Sequence, residues 1–190
     1  MCAACLRPAS ACICRWIAPV DTAVDLLILQ HPMEVANAKG SARLLHLSVA
    51  RSVLVTGEVF DPAELPALLM ADGRTPVLLY PATPGAAAPV LDPAVPRTPS
   101  ALRLVVLDGT WRKSRKMLHL NPPLQSLPRL ALEGMPPSRY RIRKAHAPDQ
   151  LSTLEAACHA LAQLEGGTFQ PLLDAFDGFV GEQAARAIRS

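Results

Sequence analysis

Four short stretches of nearly unbroken apolar residues govern what this chain can fold into. They are residues 24–29 (VDLLIL), 52–56 (SVLVT), 75–80 (TPVLLY) and 101–107 (ALRLVVL). Each is too short for a buried helix, and none alternates apolar and polar residues as a strand with one wet face does. They stop at Gln30, Gly57, Pro81 and Asp108. Strands covered on both faces read this way, and such strands belong to parallel sheets held between helices. Helical patterns lie between them. One runs through Ala42, Leu44, Leu45 and Leu47; a second, over 63–70, is opened by Asp61-Pro62. A third covers 111–118 with Thr110 as its N-cap. Ser152-Thr153-Leu154-Glu155 forms a capping box, and Leu154, Cys158, Leu161 and Ala162 share a face of the helix it starts, which ends at Gly166-Gly167. A last helical stretch to Ser190 is expected to break near Gly178 and Gly181, and shorter strands are expected at 127–132 and 140–144. Six prolines within 81–100 mark an exposed loop. The expected fold is α/β, a mainly parallel sheet flanked by helices.

Half of the 190 residues are hydrophobic, enough for one domain with a substantial core, and 18% are charged, too few for a disordered polyelectrolyte. No apolar stretch approaches the roughly 20 residues that cross a bilayer. The N-terminus carries cysteines where an export signal would carry a charged end and an apolar run, which points to a cytoplasmic protein without membrane contact. Charge is unevenly placed. Arg112, Lys113, Arg115, Lys116, Arg129, Arg139, Arg141, Arg143 and Lys144 face one acid, Glu133, so residues 112–144 carry +8. The other ten bases and fifteen acids leave −5 elsewhere. Such asymmetry suits a polyanionic partner, although a cationic face can equally be plain solvated surface.

Four of the five cysteines fall in Cys2-X2-Cys5-X6-Cys12-X-Cys14. Short CXXC and CXC loops can present four thiolates to a tetrahedral ion, so residues 1–16 read as a structural zinc-binding segment ahead of a main domain over 17–190. An iron–sulfur cluster uses the same ligands, and two disulfides fit poorly with a chain lacking an export signal. Cys158 lies on an apolar helix face and reads as core.

Ligands of open α/β sheets bind beyond the carboxyl ends of the strands. The segments that follow strands are therefore the ones to inspect: 30–34, 57–58, 80–82, 108–111 and 145–153. Asp108, at the mouth of a buried strand, could serve as a general base or grip a ligand amine; its alternative, capping the next helix, is better served by Thr110. Trp111 could stack a base or simply pack. His31 and Glu34 read as a structural or an acid–base pair. No GXGXXG, Walker, HEXXH or GXSXG pattern occurs, which argues against dinucleotide oxidation, NTP hydrolysis, zincin and serine-hydrolase chemistry.

With Asp108-Gly109-Thr110-Trp111 the sequence resembles the DTW-domain family of tRNA-uridine aminocarboxypropyltransferases, named for Asp-X-Thr-Trp. The resemblance extends to the cysteine cluster, His31-Pro32-X-Glu34, Leu79-Tyr80-Pro81, Leu127-Pro128-Arg129, the SRYRIRK run at 138–144 and Ser152-Thr153-Leu154-Glu155-Ala156, in order along nearly the whole chain. It implies a SPOUT-like α/β domain with a C-terminal trefoil knot. It also implies transfer of the 3-amino-3-carboxypropyl group of S-adenosylmethionine to N3 of a tRNA uridine. By the same resemblance Asp108, Thr110 and Trp111 would be catalytic. The loops holding Tyr80 and Pro81, Leu107 and Gly109, and Leu151, Ser152 and Thr153 would bind S-adenosylmethionine. Ala82 stands where relatives often carry serine, which removes a hydroxyl contact there. Arg112, Lys113, Lys116, Arg139, Arg141, Arg143 and Lys144 would face tRNA, and Cys2, Cys5, Cys12 and Cys14 would hold zinc. The alternatives are a SPOUT-type RNA methyltransferase and a non-catalytic zinc-ribbon RNA-binding module.

Overall fold

The computed structural model describes residues 1–37, 40–82, 91, 97–132, 135, 138 and 151–189. Five strands form one sheet: β1 Asp25–Gln30, β2 Ser52–Thr56, β3 Thr75–Leu79, β4 Leu102–Asp108 and β5 Arg129–Leu130. Their order across the sheet is β2-β1-β4-β3-β5, and every pairing is parallel. The helices are α1 Ala42–Ser48, α2 Glu64–Leu69, α3 Trp111–Leu120, α4 Pro122–Gln125, α5 Thr153–Glu165 and α6 Gln170–Arg189.

The unbroken apolar runs are explained by two separate cores, because successive side chains of a strand point to opposite faces. Leu26, Ile28, Leu104 and Val106 meet α1, α5 and α6 through Leu44, Leu45, Leu154, Leu161, Leu172 and Phe176. Leu27, Leu29, Val105 and Leu107 meet the other layer through Leu65, Leu69, Met117 and Leu124. Each such buried Leu or Phe is worth about 1.5–3 kcal/mol relative to exposure, so the central pair β1 and β4 anchors both layers.

Three expectations change. The strand over 101–107 runs one residue further, since the Asp108 carbonyl accepts from His31 N–H at 2.9 Å and Asp108 pairs in register with Gln30. The strand expected at 127–132 shrinks to β5, two residues at the sheet edge. The final helix does not break at its glycines: α6 is continuous. A single glycine costs a helix only about 1 kcal/mol, less than its buried Leu172, Phe176, Phe179 and Val180 contribute. Opening the α2 segment, Asp61 caps with its carboxylate, accepting from Ala63 N–H at 2.7 Å and Glu64 N–H at 3.3 Å, so Pro62 lies in the turn before the helix. The strand expected at 140–144 and the loop over 83–90 and 92–96 lie outside the described residues. So does 139–150, through which the path of the expected trefoil knot would run. No helix among the described residues is long and apolar enough to cross a membrane.

Gly178 has a reason of its own. A Cβ there would collide with the Trp16 ring, whose Nε1–H donates to Glu182 at 2.8 Å while Arg15 pairs with the same carboxylate. The missing side chain lets residues 14–16 lie on α6. Gly181, by contrast, has open space where its Cβ would be. Gly178→Ala should therefore destabilise by about 1 kcal/mol or more, overpacking outweighing helix propensity, whereas Gly181→Ala should stabilise by about 0.5–1 kcal/mol. Urea unfolding of the two variants against the parent checks this; equal signs would overturn it.

Candidate active site and four-cysteine cluster

The carboxyl ends of the two central strands meet at a buried carboxylate. Parallel register sets Gln30 beside Asp108, and Gln30 Nε2 donates to Asp108 Oδ2 at 2.8 Å. The other oxygen, Oδ1, accepts from Thr153 Oγ1 at 2.6 Å. Thr153 is the first residue of α5, whose capping box is complete: Glu155 N–H donates to Ser152 Oγ at 3.2 Å, and Ser152 N–H to Glu155 Oε2 at 2.7 Å. The box fixes the start of α5, and Thr153 ties that start to the sheet through the carboxylate. Asp108 itself is 6% exposed.

Around this centre lie two further sets of side chains. Tyr80, at the end of β3, stacks on Trp111 with ring centroids 5.2 Å apart and planes at 16°, while the Arg129 guanidinium lies 5.5 Å over the Tyr80 ring. Trp111 remains 50% exposed. Burial raises the Tyr80 hydroxyl's pKa, against the opposing charges of Arg115 and Arg129. On the other side, Lys113 Nζ pairs with Glu34 at 2.8 Å and Lys116 Nζ with Glu58 at 2.8 Å. His31 bonds Glu58, not Glu34, through Nε2 at 2.8 Å, and its Nδ1 accepts from Met33 N–H at 3.2 Å, so Nε2 carries the proton. The expected His31–Glu34 side-chain pair is thus replaced by His31 with Glu58 after β2 and Glu34 with Lys113 of α3. Residues 32–34 form a 3-10 turn that separates the two side chains. Lys116 first, and then His31, hold the Glu58 carboxyl below its ordinary 4.5.

The thiols of Cys2, Cys5, Cys12 and Cys14 all lie within 4.8 Å of one another. Cys2 and Cys14 sulfurs are 3.5 Å apart, and those of Cys5 and Cys12 are 3.8 Å apart. A tetrahedron of sulfurs about 2.3 Å from a central ion has edges of about 3.8 Å, so the donor set fits a metal ion. Backbone N–H groups of Cys5 and Ala4 aimed at Cys2 bring its thiol down to about 6, and hydrogen bonds with Cys2 and Cys12 push Cys14 up to about 12. Cys158 is buried in the core, where desolvation pushes its thiol to about 12.

A profile of the DTW domain matches residues 1–184. The chain belongs to the DTW-domain family. It is 32% identical over 172 residues to tRNA-uridine aminocarboxypropyltransferase 2 of Drosophila melanogaster, an overlap of 86% of this chain and 66% of that one. With the protein of the same name from Mus musculus it shares 31% over 174 residues, 86% of this chain and 56% of that one. The chain thus spans about 56–66% of the length of these relatives. No solved structure matches.

The family's four-residue motif has a distinct job at each position of this DTW-domain chain. Asp108 ends β4, and Thr110 caps α3 by accepting from Lys113 N–H at 3.4 Å. Trp111 begins α3, turned onto Tyr80. Gly109 permits the sharp exit, because a Cβ there would sit 3.1 Å from that of Lys113. Tyr80, Gly109 and Thr153 are brought to the same edge, Leu107 points into the core, and the Ser152 hydroxyl is used by the capping box. Pro81 is exposed and Leu151 half-buried. Arg139, Arg141, Arg143 and Lys144 lie outside the described residues. A cavity of about 380 Å³ opens at the opposite, amino end of β3 and β4, beside Thr75, Arg97 and Leu102, with no carboxylate among the described residues of its wall.

Gln30, Glu58 and Arg129 take part here without having been singled out individually. Their signal is their position, Gln30 at the end of a strand, Glu58 just after one and Arg129 beside a proline. The Glu58 pairs generate a pH prediction. A depressed carboxyl stabilises the fold fully above its ordinary 4.5 and loses that contribution as pH falls through its lower folded value. Glu58→Gln should therefore flatten the acid-side decline of the urea midpoint, measured between about pH 3 and 6. An unchanged slope would show the pairs to be inert.

Proposed function

We propose that this chain transfers the 3-amino-3-carboxypropyl group of S-adenosylmethionine to N3 of a uridine in tRNA, leaving acp3U and 5′-methylthioadenosine. The observation that carries the reading is the motif carboxylate, Asp108, held between Gln30 and Thr153 next to a motif tryptophan, Trp111, that stacks on Tyr80 and leaves half of its surface exposed. The names of the relatives support it. In this reading residues 1–16 hold a structural zinc, 17–190 form the catalytic domain, and the protein works in the cytoplasm.

The residues suit such a donor. The loops of Tyr80 and Pro81, of Leu107, Gly109 and Thr110, and of Leu151, Ser152 and Thr153 would enclose it. When bound, S-adenosylmethionine supplies carbons made electrophilic by sulfonium, of which the pocket must present Cγ. Uridine N3 is a weak acid, so the attack needs its proton accepted or steered, and Asp108 is the group assigned to that task. Thr153 and Gln30 hold the carboxylate in one orientation, so its geometry is set before substrate arrives. Thr110 fixes the start of α3 and with it Trp111, which walls the pocket. The cationic stretch from Arg112 to Lys144, apart from the lysines paired with Glu34 and Glu58, would lie along the tRNA backbone, where phosphate contacts supply most of the affinity.

Incubation with total tRNA and labelled S-adenosylmethionine should yield methylthioadenosine and labelled acp3U. S-adenosylhomocysteine as the main by-product would overturn the reading in favour of methyl transfer. Asp108→Asn keeps the shape, and Gln30 can turn its amide to match, so donor binding should survive while turnover falls roughly 10²–10⁴-fold. Normal turnover would remove Asp108 from the mechanism.

For the metal, protein purified without added ions should contain about one zinc per chain, without the iron or the visible absorbance of an iron–sulfur cluster. Chelation should lower the thermal midpoint. A metal-free preparation with full stability and activity would overturn the zinc assignment.

A further inference from the structure

The positive residues of α3 are not equivalent. Lys113 and Lys116 turn towards the loops after β1 and β2, where Glu34 and Glu58 neutralise them at 2.8 Å. Arg112 and Arg115 are exposed, and neither has an ion pair among the described residues. Arg115 stands one helical turn after Trp111, so the two share a face. Trp111 is backed by Tyr80 on one side and leaves half of its surface to solvent, with Arg129 beyond the Tyr80 ring. An aromatic platform braced from behind, with the exposed guanidinium groups of Arg112 and Arg115 on the same helix, is chemistry suited to an unstacked nucleobase and its phosphates.

We propose that the outer face of α3 is the RNA-docking surface, with Trp111 stacking a base of a single-stranded loop and Arg112 and Arg115 holding the adjoining phosphates, while Lys113 and Lys116 serve to position α3. The proposal deepens the tRNA reading above and rests on it for the choice of partner. Arginine fits the task because its planar fork both pairs with phosphate and stacks beside a base. Glu34 and Glu58 have a matching role. They neutralise two positive charges on the side of the helix facing the loops after β1 and β2 and so confine the attractive field to the outer stripe.

The test needs neither S-adenosylmethionine nor turnover. The chain has two tryptophans, Trp16 and Trp111. Titration of the whole 190-residue chain with an unmodified tRNA transcript should quench tryptophan fluorescence, and Trp111→Phe should remove the quench. Trp111→Ala should weaken binding roughly 5- to 150-fold, the range for loss of one base–aromatic stack. Arg112→Gln with Arg115→Gln should lower the slope of log affinity against log salt by about 1.4, two single-strand phosphate contacts. The charge-neutral exchanges Glu34→Gln with Lys113→Gln, and Glu58→Gln with Lys116→Gln, should leave that slope within about 0.3 of the parent. Heparin should compete for binding without quenching.

Binding without a Trp111-dependent quench, quenching by heparin equal to that by tRNA, or a larger loss of slope in the lysine exchanges than in the arginine variant would each overturn the proposal. The two readings fail separately. Quenching without methylthioadenosine production leaves the docking surface standing and removes the reaction. Methylthioadenosine production without quenching does the reverse.

Discussion

Parallel pairing of β1 with β4 is the constraint on which the remainder of the molecule depends. Its six residue pairs run from Asp25 opposite Arg103 to Gln30 opposite Asp108. The same register does two kinds of work. Along the strands it sends alternate leucines and valines into two cores, so both helical layers are fastened to one backbone ladder. At the carboxyl end it delivers an amide donor to one oxygen of a buried carboxylate whose other oxygen accepts from Thr153, and a buried charge is tolerated only when it is hydrogen-bonded in this way. A slip of one residue would exchange the two cores and at the same time take Gln30 from Asp108, so packing and site geometry are specified together.

Electrostatics then divides the surface beside that edge. The sequence places Arg112, Lys113, Arg115 and Lys116 within five positions, and a count of charge treats them alike. Helical geometry does not. At about 100° per residue, positions 113 and 116 share a face, and that face turns to the loops carrying Glu34 and Glu58. Acidic side chains from two separate loops thereby orient one basic helix, and the stripe left over carries the arginines and the tryptophan. The ion pair of Lys116 is exposed and contributes little stability by itself; its value lies in orientation.

The layered architecture was readable because it rests on local pattern. Apolar runs ended by Gln30, Gly57 and Pro81 mark strands covered on both faces, and Ser152 with Glu155 marks a helix start whose two reciprocal bonds are present. The cysteine spacing likewise announced a cluster, because its members lie within thirteen residues. What could not be read depends on register and distance. Nothing in the run VDLLILQ says that Gln30 will face Asp108, 78 positions later, nor that His31 will choose Glu58 over the nearer Glu34. Gly178 misled for the opposite reason. Propensity argues for a break, whereas tertiary packing uses the absent side chain to seat Trp16.

That seat joins distant parts of the chain: Trp16 and Glu182 are 166 residues apart, whereas the four thiols lie together within a few turns of backbone. During synthesis the cysteine segment leaves the ribosome long before the helix it rests on. Its own short loops can close at once, since bringing together thiols a few residues apart costs little chain entropy. Docking must wait for nearly the whole sheet to be made. The segment therefore has to survive translation as a free-standing knuckle, closed by contacts among its own residues, until the last helix arrives to support it.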